Sequence, residues 1–165
     1  VGLSKEAGIK VSLYDPNNTR LFNPFKMIET ITGLCGEKEI SRILASSYIS
    51  LACSYREAIE DLERLSGTKF NAIHIISGGS KNDYLNQLTA DITNKRVIAG
   101  PEDATSLGTI AMQIIYHDPS QTLSSIRSTI AKAVQPRTFE PQKDFPRDEI
   151  YTTYARNKDR ESSLS

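Results

Sequence analysis

The residues best suited to chemistry lie in one stretch, 74 to 108, HIISGGSKNDYLNQLTADITNKRVIAGPEDATSLG. Within it, Ser77-Gly78-Gly79-Ser80 follows a short apolar run and precedes a helical pattern. Phosphate oxygens need donors that cost no side-chain ordering, and successive backbone N–H groups at a helix start supply them. Gly78 and Gly79 lack a Cβ, so a ligand can approach the backbone closely. Ser80 is expected to cap the helix and offer its hydroxyl. Asn82 both donates and accepts, which suits a ribose or the edge of a base. The expected chemistry is the holding of a nucleotide, with Ser77, Gly78, Gly79, Ser80 and Asn82 as contacts. SGGS has neither the spacing of a P-loop nor that of a dinucleotide fold, so a plain strand-to-helix turn stays open as the alternative.

A second turn adds weight. Gly100-Pro101-Glu102-Asp103-Ala104-Thr105 opens another helix at the end of the next strand. Open α/β sheets bind ligands outside the carboxyl ends of their strands. No Ser/His/Asp arrangement, close carboxylate pair or metal cluster is readable, so no catalytic or metal-ligating residue is assigned. His74 lies inside an apolar strand and reads as a core histidine. His117 ends a helix, where partial positive charge is favourable. Asp103 reads as a helix-start residue, Asp91 as a structural helix residue, and Gly108 as a point of close helix packing.

The elements that must position these residues form an α/β pattern. Residues 1–23 are turn-rich, with Asp15-Pro16, Asn17-Asn18 and Asn23-Pro24 as punctuation. A short helix is expected from Pro24 to Leu34, ended by Gly36. The longest helix is expected from about Glu37 to Ser66, ended by Gly67. Its apolar stripe runs through Ile40, Ile43, Leu44, Ser47, Leu51, Tyr55, Ala58, Ile59, Leu62 and Leu65. Glu57, Glu60, Asp61, Glu63 and Arg64 should fill the opposite, solvated face. Strands are expected at Ala72–Ile76, buried on both faces, and at Arg96–Ala99. Helices are expected at Asp83–Thr93, Asp103–Tyr116 and Gln121–Val134.

Beyond residue 134, Pro and charge dominate, and the prolines of QPRTFEPQKDFPRDE argue against any regular element. Ile150–Asn157 is expected to form a terminal helical turn and the last residues to be disordered. The division is thus a domain over 1–134 and a polar, Pro-containing tail over 135–165. Two strands under four helices do not make a self-sufficient sheet. Strands outside this chain, a partner chain or a strand from Lys10 to Tyr14 must complete it. An incomplete sheet also predicts a homodimer through its open edge.

Composition bounds the partners. The 165 residues carry 20 basic and 20 acidic side chains, so no broad basic field points to nucleic acid. No apolar run is long enough to span a bilayer, and VGLSKEAGIK is unlike a signal peptide. Cys35 and Cys53 lack CxxC or metal spacing and read as buried free thiols of a cytoplasmic protein.

Several segments together resemble a known family. SLYDPNNTRLFNPFKM is similar to an Asp-Pro turn followed by a Phe-x-x-Pro-x-x-Met-like stretch, here Phe22, Asn23, Pro24 and Met27. IHIISGGSKNDYLNQLTAD resembles a Gly-Gly-Gly-x-x-Asn motif with Leu-x-Gln-x-x-Ala-Asp after it. VIAGPEDATSLGTIAMQ resembles an Ala-Gly-Pro…Ala-Thr…Gly signature, and Phe139-Glu140-Pro141 fits the same C-terminal pattern. These are features of the FGGY carbohydrate kinases, most closely of the rhamnulokinase branch, and they cover residues 10–145.

The resemblance implies part of an actin-like ATPase lobe of RNase H-like type, a short, mostly parallel sheet covered by helices. It implies ATP with Mg²⁺, ADP as product and a ketose acceptor bound by the other lobe. It implies rhamnose metabolism, with this chain as the adenosine side, inactive alone because the catalytic Asp has no counterpart here. The family's second and third glycines fall on Gly78 and Gly79 and its Asn on Asn82. Ser77 stands where the first glycine is usual, Asp103 where Glu is, and Thr109 where Asn is. A non-catalytic lobe kept for binding or assembly is the other reading.

Overall fold

The computed structural model describes residue 2 and residues 8–162. Helix α1 spans Met27–Cys35 and stops at Gly36, whose φ of 72° is left-handed and whose N–H reaches Thr32 O at 2.8 Å. It starts later than the sequence predicts. Asn23 takes a φ of 60°, so the chain turns before Pro24 and the helix begins only after Lys26.

Helix α2 runs 27 residues, Ile40–Ser66, and ends at Gly67 with φ 65°. Its deepest face is not the expected stripe. Ala45, Ile49, Ala52 and Cys53 are fully buried, with Ser46 and Ser50 beside them. Ile40, Leu62 and Leu65 are exposed. Small residues face inward because three other segments crowd that side of the helix.

One of these is the extended segment before Tyr14. It is not a strand. Its backbone is held by side chains: Ser46 Oγ donates to Ser12 O, Tyr14 N donates to Ser50 Oγ at 3.1 Å, and Asn157 Nδ2 donates to Leu13 O at 2.8 Å. Buried backbone groups outside a ladder need such partners. Val11, Leu13 and Tyr14 are thereby buried on α2.

Glu63 also departs from its expected solvated place. It is buried and accepts from Lys69 Nζ at 2.8 Å, Lys95 Nζ at 2.7 Å and Phe70 N at 2.8 Å. The two ammonium groups and the amide hold its carboxyl down at about 2.

Strand β1, Ala72–Ile75, pairs in parallel with β2, Arg96–Ala99, through Ala72 opposite Arg96 and Ile75 opposite Ala99. Between them lies α3, Asp83–Thr93. A third strand, β3, Arg137–Phe139, pairs antiparallel with β2. The order is β1-β2-β3, so β2 is central, with Val97 and Ala99 buried. β1 is an edge, which is why it is only half-buried and why His74 is exposed rather than a core residue.

The segment beyond 134 is more ordered than its prolines predict. After β3 it forms α6, Arg147–Ser162, and Ile150 and Tyr154 enter the core with Val11, Leu13, Ile49, Cys53, Leu88 and Ile92. The remaining tail residues, 163–165, lie outside the described residues. Arg56 of α2 clamps this helix, its guanidinium 4.3 Å over the Tyr151 ring and 2.9 Å from Asp148 Oδ1.

Helix α4, Ala104–His117, and α5, Leu123–Ala133, pack chiefly on one another. α5 starts with a capping box between Thr122 and Ser125. Gly108 does not mediate close packing, since a Cβ there would meet nothing within 4 Å. Cys35 and Cys53 are buried free thiols, as expected.

Candidate functional site

The two glycine turns lie side by side at the carboxyl ends of β1 and β2, and backbone bonds join them. Ser77 N donates to Pro101 O at 2.9 Å, and Gly100 N donates to Ile75 O at 2.8 Å. The first turn, Ser77–Lys81, is a single 3-10 helix. The first N–H groups of such a turn have no partner inside it. Pro101 O takes that of Ser77, and the i to i+3 pattern turns that of Gly79 back to Ile76 O, which leaves that of Gly78 without a partner in the turn. Both glycines are exposed. A Cβ at Gly78 would meet nothing within 4 Å, so there is room for a group from outside to come up to this backbone.

Ser77 has a φ of 59°, in the left-handed region that favours glycine. The turn therefore keeps the backbone shape of a glycine while carrying a Cβ.

Ser80 is fully buried, and its Oγ donates to Ser77 O at 2.7 Å. It braces the turn and does not cap the helix. That role belongs to Asn82, whose Oδ1 accepts from Leu85 N at 3.1 Å. Gly78 and Gly79 thus sit exposed on the rim, Ser77 and Asn82 are half-buried, and Ser80 lies beneath them.

Three residues that the sequence reading passed over hold this turn. Asn86 Nδ2 donates to Ser80 O at 2.9 Å, with its own Oδ1 buried and without a partner. Arg137 of β3 donates to the same carbonyl at 2.7 Å through Nη2 and to Asp83 Oδ1 at 2.6 Å through Nη1. Lys81 pairs with Glu102 of the second turn at 3.2 Å. No sequence signal marks Arg137, because its partners lie more than fifty residues away and meet it only once β3 has paired.

Asp103 stands at the start of α4, where its carbonyl accepts from Leu107 N, and its side chain forms no cap. Asp91 is structural, as expected. It is buried and accepts from Gln142 N at 2.8 Å and Gln87 Nε2 at 2.9 Å. His117 closes α4, away from the turns. No group of three or more His, Cys, Asp or Glu that could hold a metal ion occurs among the described residues.

The model of the C-terminal domain of the FGGY family of carbohydrate kinases matches residues 3–116. The chain belongs to that family. Rhamnulokinase from Bacillus subtilis (strain 168) is 33% identical over 144 residues, covering 84% of this chain and 30% of the relative. The chain therefore spans less than a third of that protein.

Two solved structures share the fold, which is that of actin-like ATPases. One is a xyloylose kinase from Brucella ovis, with TM-score 0.57 and 20% identity, covering 99% of this chain and 34% of that one. The other is a ligand-bound xylulose kinase from Lactobacillus acidophilus, with TM-score 0.50 and 19% identity, covering 75% and 24%. This FGGY domain has the expected short sheet under helices. Its edge strand β3 is the part that the sequence pattern did not predict.

Proposed function

We propose that this chain is the nucleotide-side wall of a rhamnulokinase-like enzyme that moves the γ-phosphoryl group of ATP onto a ketose hydroxyl. The carrying observation is the pair of glycine turns, joined by two backbone bonds, with Gly78 and Gly79 exposed on the first of them. Phosphoryl transfer is mostly positioning and charge stabilisation. Phosphates need donors that do not move, and a braced turn supplies them. The Gly78 amide would meet phosphate oxygens, Gly79 would let them come close to the backbone, and Asn82 would meet the nucleoside.

ATP fits the donors present, with ADP as the product held on the same wall. The described residues gather no ligand set for Mg²⁺, and no step is routed through the metal here. The carboxylates beside the turns, Asp83 and Glu102, are held in ion pairs by Arg137 and Lys81, so the proposed chemistry takes its base from the sugar-binding lobe and this chain is inactive alone. The two buried thiols fit a cytoplasmic setting, with burial pushing that of Cys53 up to about 12. No helix among the described residues is long and apolar enough to cross a membrane, and equal numbers of acidic and basic side chains speak against nucleic acid as a partner.

A second reading has its own support. The open edge of β1 borders a groove of about 370 Å³ lined by Tyr55, Ile59, Ile73, Ile75 and Leu85. A strand with one open edge beside apolar surface suits an assembly module, or a homodimer formed by sheet extension.

Calorimetric titration of Mg-ADP into the purified chain separates the two, with Gly78→Asp as control. Binding abolished by the control supports the nucleotide wall. A folded chain that ignores Mg-ADP and sediments as a dimer supports the assembly module.

A further inference from the structure

We infer that Arg137 is a positioning residue for nucleotide binding, acting through the carbonyl of Ser80 to fix the turn that carries the exposed Gly78 and Gly79. The inference rests on the nucleotide-wall reading. Its basis is the unusual number of restraints that meet at Ser80. The carbonyl accepts from Arg137 Nη2 at 2.7 Å and from Asn86 Nδ2 at 2.9 Å, while the hydroxyl closes the turn on Ser77 O at 2.7 Å.

Of these donors only Arg137 comes from outside the turn and α3. The same guanidinium reaches Asp83 at 2.6 Å, in the first turn of α3, and lies 4.0 Å from Glu102 in the second glycine turn. One planar fork therefore ties the first turn, the helix it starts and the strand β3, and stands beside the second turn. A lysine has one point charge and cannot span the carbonyl and the carboxylate in this way.

A turn that carries Ser77 at a left-handed φ needs such a restraint, because the backbone alone disfavours that shape. Without Arg137 the Gly78 and Gly79 backbone would sample several conformations. Ordering it would then be charged against ligand binding.

The test compares the parent chain with Arg137→Ala, Arg137→Lys and Asp83→Asn. The readouts are Mg-ADP titration, thermal melting and ligand-free amide exchange. Loss of a charge-assisted bond predicts about tenfold weaker binding for Arg137→Ala. Arg137→Lys keeps the charge but not the fork and should stay about fivefold weaker than the parent. In Arg137→Ala, exchange should quicken at Gly78 and Gly79 and stay unchanged in α2, which a general loss of stability would not produce.

If Arg137→Ala fails to fold, Asp83→Asn carries the test. It frees one limb of the fork and should weaken binding about threefold. Parent-like binding and exchange in the variants would overturn the role of Arg137 and leave the nucleotide wall standing. Absence of binding by the folded parent would overturn the nucleotide wall, and the role of Arg137 with it.

Discussion

The two halves of this molecule treat the same residue types differently. In the body made by α2, α3, α6 and the segment before Tyr14, Tyr154 is 1% exposed. On the hairpin made by α4 and α5, Tyr116 is 82% exposed, and Ile110, Met112 and Ile114 are exposed near it. The body is cross-linked by side chains from distant parts of the chain, such as Arg56 to Asp148 and Lys158 to Glu57. The hairpin is held mainly by its own pairing. The glycine turns stand at the seam, with the first turn braced by the body and the second leading into the hairpin. The proposed ligand contacts thus lie apart from the packed body, an arrangement common where loops on a rigid scaffold do the binding.

The sharpest way to break this comparison is to remove one ring from each half. Tyr154→Ala should cost about 3–5 kcal/mol, because it empties a packed site. Tyr116→Ala should stay within about 0.5 kcal/mol of the parent. Urea unfolding of both variants reads the difference, and equal losses would erase the distinction.

The next test concerns the body's buried carboxylate. Glu63 is held at about 2 against an ordinary 4.5. A depressed carboxylate stabilises the fold above its ordinary value, and that contribution is lost as the pH falls toward the folded value. Glu63→Gln should therefore melt below the parent at neutral pH. The gap between them should close as the pH drops from 4.5 to 2. A gap that is constant with pH would mean that Glu63 acts by packing alone.

At the seam, Ser77→Gly should stabilise the chain by about 1 kcal/mol, because it relieves a left-handed φ. The Ser80 hydroxyl bond goes to the Ser77 carbonyl and survives the change. Destabilisation would show that the Ser77 side chain is itself a restraint. The smallest expected effect is on thiol labelling. Cys53 should react only as fast as the body opens, because it is fully buried and its thiol stays protonated.

Much of the scaffold was legible because its signals are local. Gly36 and Gly67 end α1 and α2 as their type and position predict, and Asn94, with φ 54°, does the same for α3. What escaped depends on distance in the chain. Pro136 and Pro141 lie just outside β3 and so bracket an element that they were expected to forbid, while Pro146 lies just before α6, which extends the helical turn expected at Ile150–Asn157. The inward face of α2 is built from alanines and serines because other segments approach it closely, and large apolar residues on its flank misled the pattern. His74 looked buried because its neighbours are apolar, and only the strand order reveals an open edge.

At the site, the turn and its glycines were readable from residue type. The brace at Ser80 was not, since Arg137 and Ser80 are 57 residues apart.

Nucleotide binding at the first glycine turn can be read residue by residue. Amide hydrogen exchange of the chain with and without saturating Mg-ADP tests it most directly. Slowed exchange concentrated at Gly78, Gly79 and the start of α3, with α2 and α6 unchanged, is the predicted result. Saturable binding that slows exchange elsewhere and leaves Gly78 and Gly79 as they were would contradict it.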